Sequence, residues 1–257
     1  MKIAHRVINR EENIVQVTTT DERVYIRDND FANPFDSVTW ILSYYPKSPQ
    51  FYKWVQSHGD EADTIKELAG RRGSKIHRAV EMYLHGETVP CDLAIEPDLG
   101  LPPEELSAGE YSALIAFHNW YKTLEDVTLV STEENVFNED FMYAGTADLR
   151  LKIGETTWTI DLKTGSERPE HNLQVTAYQH TPGRESDRLA ILYIGEKVRN
   201  LSKYKFVEVE EDWDTFVAVH RIFRRENPET KLNQYVLPAS ISINSEAVAK
   251  PKRKKKE

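Results

Sequence analysis

The stretch that most constrains the fold lies at residues 145–178, GTADLRLKIGETTWTIDLKTGSERPEHNLQVTAY. Apolar and polar residues alternate from 147 to 153 and again from 158 to 163. Period two over two consecutive runs predicts two β-strands. Gly154 and Glu155 lie between the runs, and a glycine at the first turn position suits a two-residue type II′ turn. The sequence therefore predicts a β-hairpin, followed by a helix near residues 169–180.

The predicted hairpin places two carboxylates side by side. If Gly154 and Glu155 form the loop, counting back along both strands brings Asp148 opposite Asp161. Cross-strand partners have β-carbons about 4.5–5.5 Å apart, so both carboxylates can reach one cation. Lys163 projects from the same face as Asp161. A slip of one residue would turn one acid away, so the prediction depends on the register.

Two neighbouring carboxylates and a lysine could together bind a cation and act on a phosphate group. Two adjacent carboxylates repel each other unless a proton or a divalent cation lies between them. Oxygen ligands with room for water and phosphate are typical of Mg²⁺ sites. A cation there can lower the pKa of a water and neutralise charge on a phosphoryl group, while a lysine steers that water. By spacing alone, an amphipathic hairpin with a solvated, salt-bridged outer face is the simpler interpretation.

Composition limits the class of protein. The chain has 257 residues, 39% of them apolar, which is enough for one large domain or a domain with extensions. No segment approaches the roughly 18 apolar residues of a membrane span, and no secretory signal is evident. The single cysteine, Cys91, allows no internal disulfide and no four-cysteine iron–sulfur cluster within the chain. We therefore expect a soluble cytoplasmic protein with no membrane partner.

Charge is divided unevenly along the chain. The net charge is −9, but residues 1–249 have 27 basic and 41 acidic side chains, while residues 250–257 hold six basic ones. An acidic body repels nucleic acid, so binding would need a local basic groove and a cation. The tail, KPKRKKKE, is interpreted either as a non-specific phosphate contact or as a solubilising or localisation sequence.

A helix is predicted from residue 60 to 84, interrupted at Gly70 and Gly73 and ended by Gly86. His77 and Glu81 lie one turn apart beside its apolar stripe. Without further information, such a histidine is interpreted as structural. Glu81 either orients His77 or is a surface acid.

Three elements occur in a fixed order: Gly-Thr-Ala-Asp148, Ile-Asp161-Leu-Lys163-Thr-Gly and Gln174-x-x-x-Tyr178. This set resembles the PD-(D/E)XK nuclease superfamily and most closely its RecB-type exonuclease branch, with similarity to phage and mitochondrial single-strand exonucleases. The resemblance implies that Asp148 and Asp161 bind Mg²⁺ or Mn²⁺ and that Lys163 is catalytic. It implies that Gln174 and Tyr178 are substrate-binding residues beside the DNA.

The same resemblance extends upstream of the hairpin. In the family, a histidine in an Arg-Gly-x-x-x-His helix reaches the metal, and residues 72–77 match this pattern. His77 is therefore an implied third metal ligand. A glutamate commonly precedes the Gly-Thr-x-Asp element, which favours Glu133 over the adjacent Glu134 as a further ligand. The carbonyl of Leu162 is another candidate.

The resemblance implies an α/β fold with a restriction-endonuclease-like central mixed β-sheet flanked by helices. We assign residues 1–36 to an N-terminal strand extension, 37–228 to the nuclease domain and 229–257 to a loose C-terminal segment with the basic tail. The implied function is a metal-dependent exonuclease acting on DNA ends or single strands in replication, recombination or repair. A replication or recombination protein is a candidate partner, and a phage-encoded chain would work in the host cytoplasm.

Two other functions are kept open. One is a non-catalytic nucleic-acid-binding or scaffolding protein that retained the fold, although the intact Asp148, Asp161 and Lys163 argue against it. The other is a metalloenzyme that holds iron with His77 and the two acids, a chemistry in which Lys163 has no part. Cleavage polarity, exonuclease against endonuclease action, strand preference and oligomeric state do not follow from the sequence.

Overall fold

The computed structural model describes residues 4–9, 13–18, 22–28, 30–97, 101–200 and 203–228. The C-terminal segment predicted to be loose, residues 229–257, lies outside the described residues. In chain order the elements are β1 (Ala4–Asn9), β2 (Ile14–Thr18), β3 (Arg23–Ile26), β4 (Phe35–Ser37), α1 (Val38–Leu42), α2 (Pro49–His58), α3 (Glu61–Leu84), β5 (Ala94–Ile95), β6 (Glu104–Glu105), α4 (Ala108–Tyr121), β7 (Val127–Asn138), β8 (Tyr143–Ile153), β9 (Thr156–Lys163), α5 (Pro169–Gln179), β10 (Arg188–Ile194), β11 (Tyr204–Val209) and α6 (Trp213–Glu226). In this part of the chain, no helix is long and apolar enough to cross a membrane.

A mixed sheet forms the centre of the fold. Its strand order is β1-β2-β3-β4-β8-β9-β10-β11, and β7 pairs with the other edge of β8. The β4–β8 and β9–β10 pairs are parallel, and the remaining pairs are antiparallel. Helices flank this sheet, which confirms the predicted fold class. Strands from residues 1–36, predicted as an extension, join the same sheet through β4.

The predicted hairpin is present with the predicted register. Ile153 pairs with Thr156, and the ladder continues back to Leu149 and Ile160. Gly154 has a φ of +60° in the turn, a conformation that glycine adopts without steric cost. Burial follows the alternation in β8 from Ala147 to Leu151, whereas Ile153 and Trp158 near the turn are half-buried. In β9 the polar Thr159 and Asp161 are buried as well as Ile160 and Leu162.

Helices cover the two faces of the sheet. On one face, α3 and α4 pack against apolar side chains of β8, β9 and β10 around the fully buried Phe117. On the other, α1, α5 and α6 pack around Tyr178 and Phe216. Each fully buried side chain of this size contributes roughly 1.5–3 kcal/mol. The central strands are thus held on both sides, and their ends are the places where functional groups can be exposed.

Helix α3 corrects one prediction. It is continuous from Glu61 to Leu84, whereas Gly70 and Gly73 were expected to interrupt it. A glycine costs a helix only about 1 kcal/mol, and burial of Ile76 and Val80 against the sheet outweighs that cost. Gly73 also lies close to the end of β9, because a β-carbon there would be 3.7 Å from Thr164 Oγ1.

The end of α3 agrees with the prediction. Gly86 has a φ of +81°, and the Glu87 N–H donates to the Met82 carbonyl at 3.0 Å. Such a left-handed glycine followed by a return hydrogen bond is a common helix stop. The helix is therefore fixed at its C-terminal end, on the half that carries His77.

His220 of α6 makes stability sensitive to acid. It is buried among aromatic rings, and burial and the charge of Arg224 lower its pKa to about 4. The unfolded chain takes up this proton near pH 6.5, so the contribution of His220 to stability is complete above pH 6.5. It is lost as the pH falls toward 4. Between pH 8 and pH 5, the free energy of unfolding of wild type should fall by about 2 kcal/mol more than that of His220→Phe. Urea unfolding at both pH values measures this difference.

The exposed His85 provides the control for this measurement. His85→Phe should keep the wild-type pH dependence, since the buried ring remains in place. Identical pH slopes in wild type and His220→Phe would contradict the assignment.

Candidate active site

The candidate site lies where β8 changes its neighbour along one edge. Residues 149–153 of β8 pair with β9, whereas Tyr143 and Ala144 pair with β4 on the same edge. Residues 145–148, the Gly-Thr-Ala-Asp element, therefore lie between two ladders. Backbone groups at such a gap need partners other than a neighbouring strand. Side chains from β7, β9, α3 and α5 supply the contacts here.

The carboxylate of Asp148 fills part of this gap. The β8–β9 ladder ends one pair before the position at which Asp148 and Asp161 would face each other. Beyond that point, Asp148 Oδ2 accepts the Leu162 N–H at 2.7 Å. Burial alone would raise the pKa of Asp148, but His77, Lys163 and this N–H hold it below its ordinary value. Asp148 is therefore an anion that two cations and a backbone amide stabilise.

His77 reaches the same gap from α3. Its Nε2 donates to the Leu162 carbonyl at 3.1 Å. Its Nδ1 lies 3.4 Å from Asp148 Oδ1 and 3.4 Å from Glu133 Oε1. Burial opposes the charged imidazolium, yet the carboxylates of Asp148 and Glu133 raise the pKa of His77 well above its usual value. The ring is thus oriented by a carbonyl on one nitrogen and faces two acids with the other.

The two adjacent glutamates point in different directions. Glu133 has a φ of +45° and contacts His77, a left-handed conformation that costs a non-glycine residue energy and is often found at functional sites. Glu134 instead pairs with Arg184, lies 3.6 Å from Arg150 and accepts a hydrogen bond from Ser131. Of the two acids left open by the sequence, Glu133 is the one placed at the site.

Asp161 lies on the neighbouring strand and faces Lys163. Its side chain is completely buried, and its carboxylate forms an ion pair with the Lys163 ammonium. Burial raises the pKa of Asp161 despite Lys163, and the charge of Asp148 raises it further. Burial opposes the charge of Lys163, but Asp161 and Asp148 raise the pKa of the ammonium above its ordinary value. The pKa values of the two aspartates are therefore shifted in opposite directions, which makes Asp148 the stronger acid.

Three of the four predicted metal ligands come together. One donor atom from each of His77, Glu133 and Asp148 lies within 4.8 Å of the others. Asp161 is not part of this group, because its carboxylate is turned toward Lys163. A nitrogen and two carboxylate oxygens suit a divalent cation, and Glu133 has a raised pKa from burial and from the nearby charge of Asp148. The donor set therefore fits a divalent cation, which would take the place of the proton that His77 holds between the two carboxylates.

Gln174 and Tyr178 lie on α5 beside the same gap. Gln174 Nε2 donates to Tyr178 Oη at 2.8 Å. The ring of Tyr178 rests on Gly145, where an added β-carbon would lie 2.5 Å from Tyr178 Cε1. Burial, Asp161 and Asp148 raise the pKa of Tyr178 well above its ordinary value, so its hydroxyl stays protonated. The glycine of the Gly-Thr-Ala-Asp element thus provides the space that brings this tyrosine to the acids.

Glu81 does not contact His77. Its carboxylate pairs with Arg78 at 2.5 Å, and it lines the cleft that also contains His77, Glu133 and Asp148. Its charge contributes to the raised pKa of Glu133. Glu81 therefore acts on the site through its charge rather than by orienting the histidine.

Several groups near Lys163 were not identified from the sequence. Tyr193 of β10 pairs with Lys163 in the parallel ladder, and its hydroxyl lies 3.1 Å from His171 Nδ1. Glu170, next to His171, pairs with Lys47 at 2.9 Å. Parallel strand register and contacts over more than a hundred residues leave no local signal, so the pattern of the sequence offers no means of finding them.

Comparisons with known proteins find only weak structural similarities. The sequence matches no protein-family model, and no curated protein is significantly similar to it. The crystal structure of SSO0001 is 15% identical over 72% of each chain, with a TM-score of 0.35. The alkaline exonuclease LHK-Exo from Laribacter hongkongensis is 11% identical over 74% of this chain and 86% of that chain, with a TM-score of 0.37. Its complex with dAMP is 12% identical over 77% and 95%, with a TM-score of 0.35.

Proposed function

We propose that this chain is a Mg²⁺- or Mn²⁺-dependent deoxyribonuclease that hydrolyses phosphodiester bonds at DNA ends or in single strands. One observation carries the proposal. His77, Glu133 and Asp148 converge within 4.8 Å of one another, beside a buried ion pair between Asp161 and Lys163. A structural ion pair needs no histidine and two further carboxylates gathered next to it.

In this proposal, His77, Glu133 and Asp148 hold the cation. The Leu162 carbonyl, 3.1 Å from His77 Nε2, and the Asp161 carboxylate are the additional oxygen donors nearby. A bound divalent cation lowers the pKa of a water and offsets charge that develops on a phosphoryl group. Mg²⁺ commonly uses one or two carboxylates together with substrate phosphates, which this donor set allows.

Lys163 acts on the phosphate and on the attacking water. While Asp148 and Asp161 are charged, they hold Lys163 as an ammonium. An ammonium donates hydrogen bonds and cannot remove a proton. Lys163 therefore positions the water and stabilises negative charge on the phosphate oxygens, an effect that is large in a site shielded from solvent. Gln174, whose amide donates to the hydroxyl of the buried Tyr178, positions the substrate strand together with that tyrosine.

The adjacent glutamates provide a matched test. Glu133→Gln removes a carboxylate from the proposed cation site, and we expect it to reduce Mg²⁺-dependent cleavage of labelled DNA by roughly a hundredfold and to weaken Mn²⁺ binding. Glu134→Gln changes the same functional group one residue away, where it pairs with Arg184. It should retain cleavage and Mn²⁺ binding within a fewfold of wild type. Equal losses in both variants would contradict the assignment of the site.

The metal content of the purified protein separates the proposal from an iron enzyme. A site that uses His77 and two acids for iron chemistry has no role for the Asp161–Lys163 pair. Retention of iron in purified protein, with no DNA cleavage in Mg²⁺ or Mn²⁺, would favour that alternative.

A further inference from the structure

A series of contacts leads outward from Lys163 to the start of α5. Tyr193 is the strand neighbour of Lys163, and its hydroxyl contacts His171 Nδ1 at 3.1 Å. The residue before His171 is Glu170, at the start of α5. These contacts connect the candidate active site to the first turn of α5 and to the Glu170 carboxylate.

The carboxylate of Glu170 lies between two cations. Lys47 Nζ, from the segment between α1 and α2, is 2.9 Å from Glu170 Oε1, and Arg168 Nη1 is 4.0 Å from the same oxygen. The side chain of Arg168 is 55% exposed and that of Lys47 is 25% exposed, so an anion arriving from solvent can reach both. Two cations from distant segments therefore converge on one acidic oxygen at the surface.

The local charge at this place is positive, although the chain as a whole is acidic. Burial lowers the pKa of His171 to about 3, and the positive charges of Lys163, Arg168 and Lys47 lower it in the same direction. His171 is consequently neutral. Lys163 is offset by Asp161, but Lys47 and Arg168 together exceed the single charge of Glu170. Such a local excess of positive charge is what an acidic protein needs in order to bind a polyanion.

We propose that Lys47 and Arg168 bind a backbone phosphate of the substrate strand next to the scissile one, in place of the Glu170 carboxylate. This inference rests on the proposed function, because the scissile phosphate is assigned to Lys163. The Glu170 side chain is 16% exposed, so it must turn out of its contact with Lys47 when the phosphate binds. A phosphodiester then presents the same single charge to the two cations. The strand then leaves the active site along the first turn of α5.

Binding measured in EDTA tests this subsite without requiring cleavage. We expect Arg168→Gln, and Lys47→Gln, to weaken binding of a fluorescent single-stranded oligonucleotide by roughly tenfold. The slope of log K against log salt should become shallower by about 0.7 for each lost phosphate contact. Arg188→Gln is the matched control, because Arg188 is 52% exposed, pairs with Glu208 and lies at the other end of β10. It should leave affinity and slope unchanged.

Glu170→Gln gives an effect of opposite sign. Removing the carboxylate frees both cations, so the variant should bind the oligonucleotide severalfold more tightly than wild type. A purely structural role for the Lys47–Glu170 contact would instead make Glu170→Gln weaken binding, as the lysine and arginine variants do. That result would overturn the proposal.

Oligonucleotides in which one phosphate is replaced by an uncharged analogue locate the contact. In a set of oligonucleotides with one methylphosphonate each, a single position should weaken binding to wild type and have no effect in the Lys47→Gln/Arg168→Gln variant. If wild type cleaves DNA but no position depends on these residues, the subsite is wrong and the nuclease stands. If the position is found but Mg²⁺ supports no cleavage, the subsite stands and the nuclease is wrong. Failure of wild type to bind DNA would overturn the subsite.

Discussion

Lys163→Ala should reduce Mg²⁺-dependent cleavage of DNA by roughly a thousandfold while the fold is retained. The ammonium of Lys163 is the charged donor nearest to Asp161 in the candidate site, so its removal takes away a group that stabilises charge on the phosphate. The variant leaves Asp161 buried without its partner, and this carboxyl responds by taking up a proton rather than by unfolding the protein. Single-turnover rates and thermal unfolding measure the two effects separately.

Lys152→Ala is the control for this experiment. Lys152 lies on the same hairpin, is 44% exposed and pairs with Glu155. Its removal should change neither rate nor stability appreciably, since exposed ion pairs contribute little. Substantial cleavage by both Lys163→Ala and Asp161→Ala would contradict the assigned mechanism.

The second large effect concerns stability. Lys75→Met should destabilise the protein by about 3–5 kcal/mol, because it leaves the carboxylate of Glu110 buried and without its cation. The two side chains are 6% and 2% exposed, and Lys75 Nζ lies 2.9 Å from Glu110 Oε2. Burial would raise the pKa of Glu110, but Lys75 and the backbone of Ser107 hold it below its ordinary value. Glu110 is therefore ionised at neutral pH and needs this partner.

A double variant tests whether the effect comes from the unpaired charge. In Lys75→Met/Glu110→Gln no buried charge is left uncompensated, because Glu104, the other carboxylate paired with Lys75, is 46% exposed. Glutamine can still serve in the capping box that Ser107 and Glu110 form at the start of α4. We expect the double variant to be more stable than Lys75→Met in urea unfolding. Strictly additive losses would show that the two residues are not coupled.

The hairpin was predictable from the sequence because its signals are local. Alternation places Leu149 and Leu151 in the core, and Gly154 allows one turn and one register. The side chains that face the opposite way, including Asp148 and Asp161, follow from that register. Lys163, two residues beyond Asp161, follows as well. Local period and turn chemistry were thus sufficient to place these three side chains near one another. Spacing alone favoured a solvated face, and their interpretation as a site came from the family resemblance.

Features that depend on tertiary contacts were not predictable in this way. Gly70 and Gly73 signal a break, yet packing of α3 on the sheet keeps the helix continuous. Glu133 and Glu134 are equivalent in the sequence until the left-handed backbone at Glu133 separates them. The pairing of Asp161 with Lys163 likewise depends on burial and on side-chain conformation, which the sequence pattern does not specify.

The gap in β8 shows most clearly what the sequence cannot supply. It exists because β4 replaces β9 as the neighbour of β8, and β4 lies more than a hundred residues earlier in the chain. The contact of Lys47 with Glu170 likewise joins two segments more than a hundred residues apart in the chain. Contacts of this separation are set by the topology of the sheet and leave no periodic pattern.

The central claim is tested most directly by digestion of DNA labelled at the 5′ or 3′ end, single- and double-stranded, with Mg²⁺, Mn²⁺ or EDTA. We expect wild-type protein to cleave in Mg²⁺ or Mn²⁺ and not in EDTA, and the pattern of labelled products to give the polarity. Absence of cleavage of every substrate with either cation would contradict the assignment of His77, Glu133, Asp148, Asp161 and Lys163 as a nuclease site.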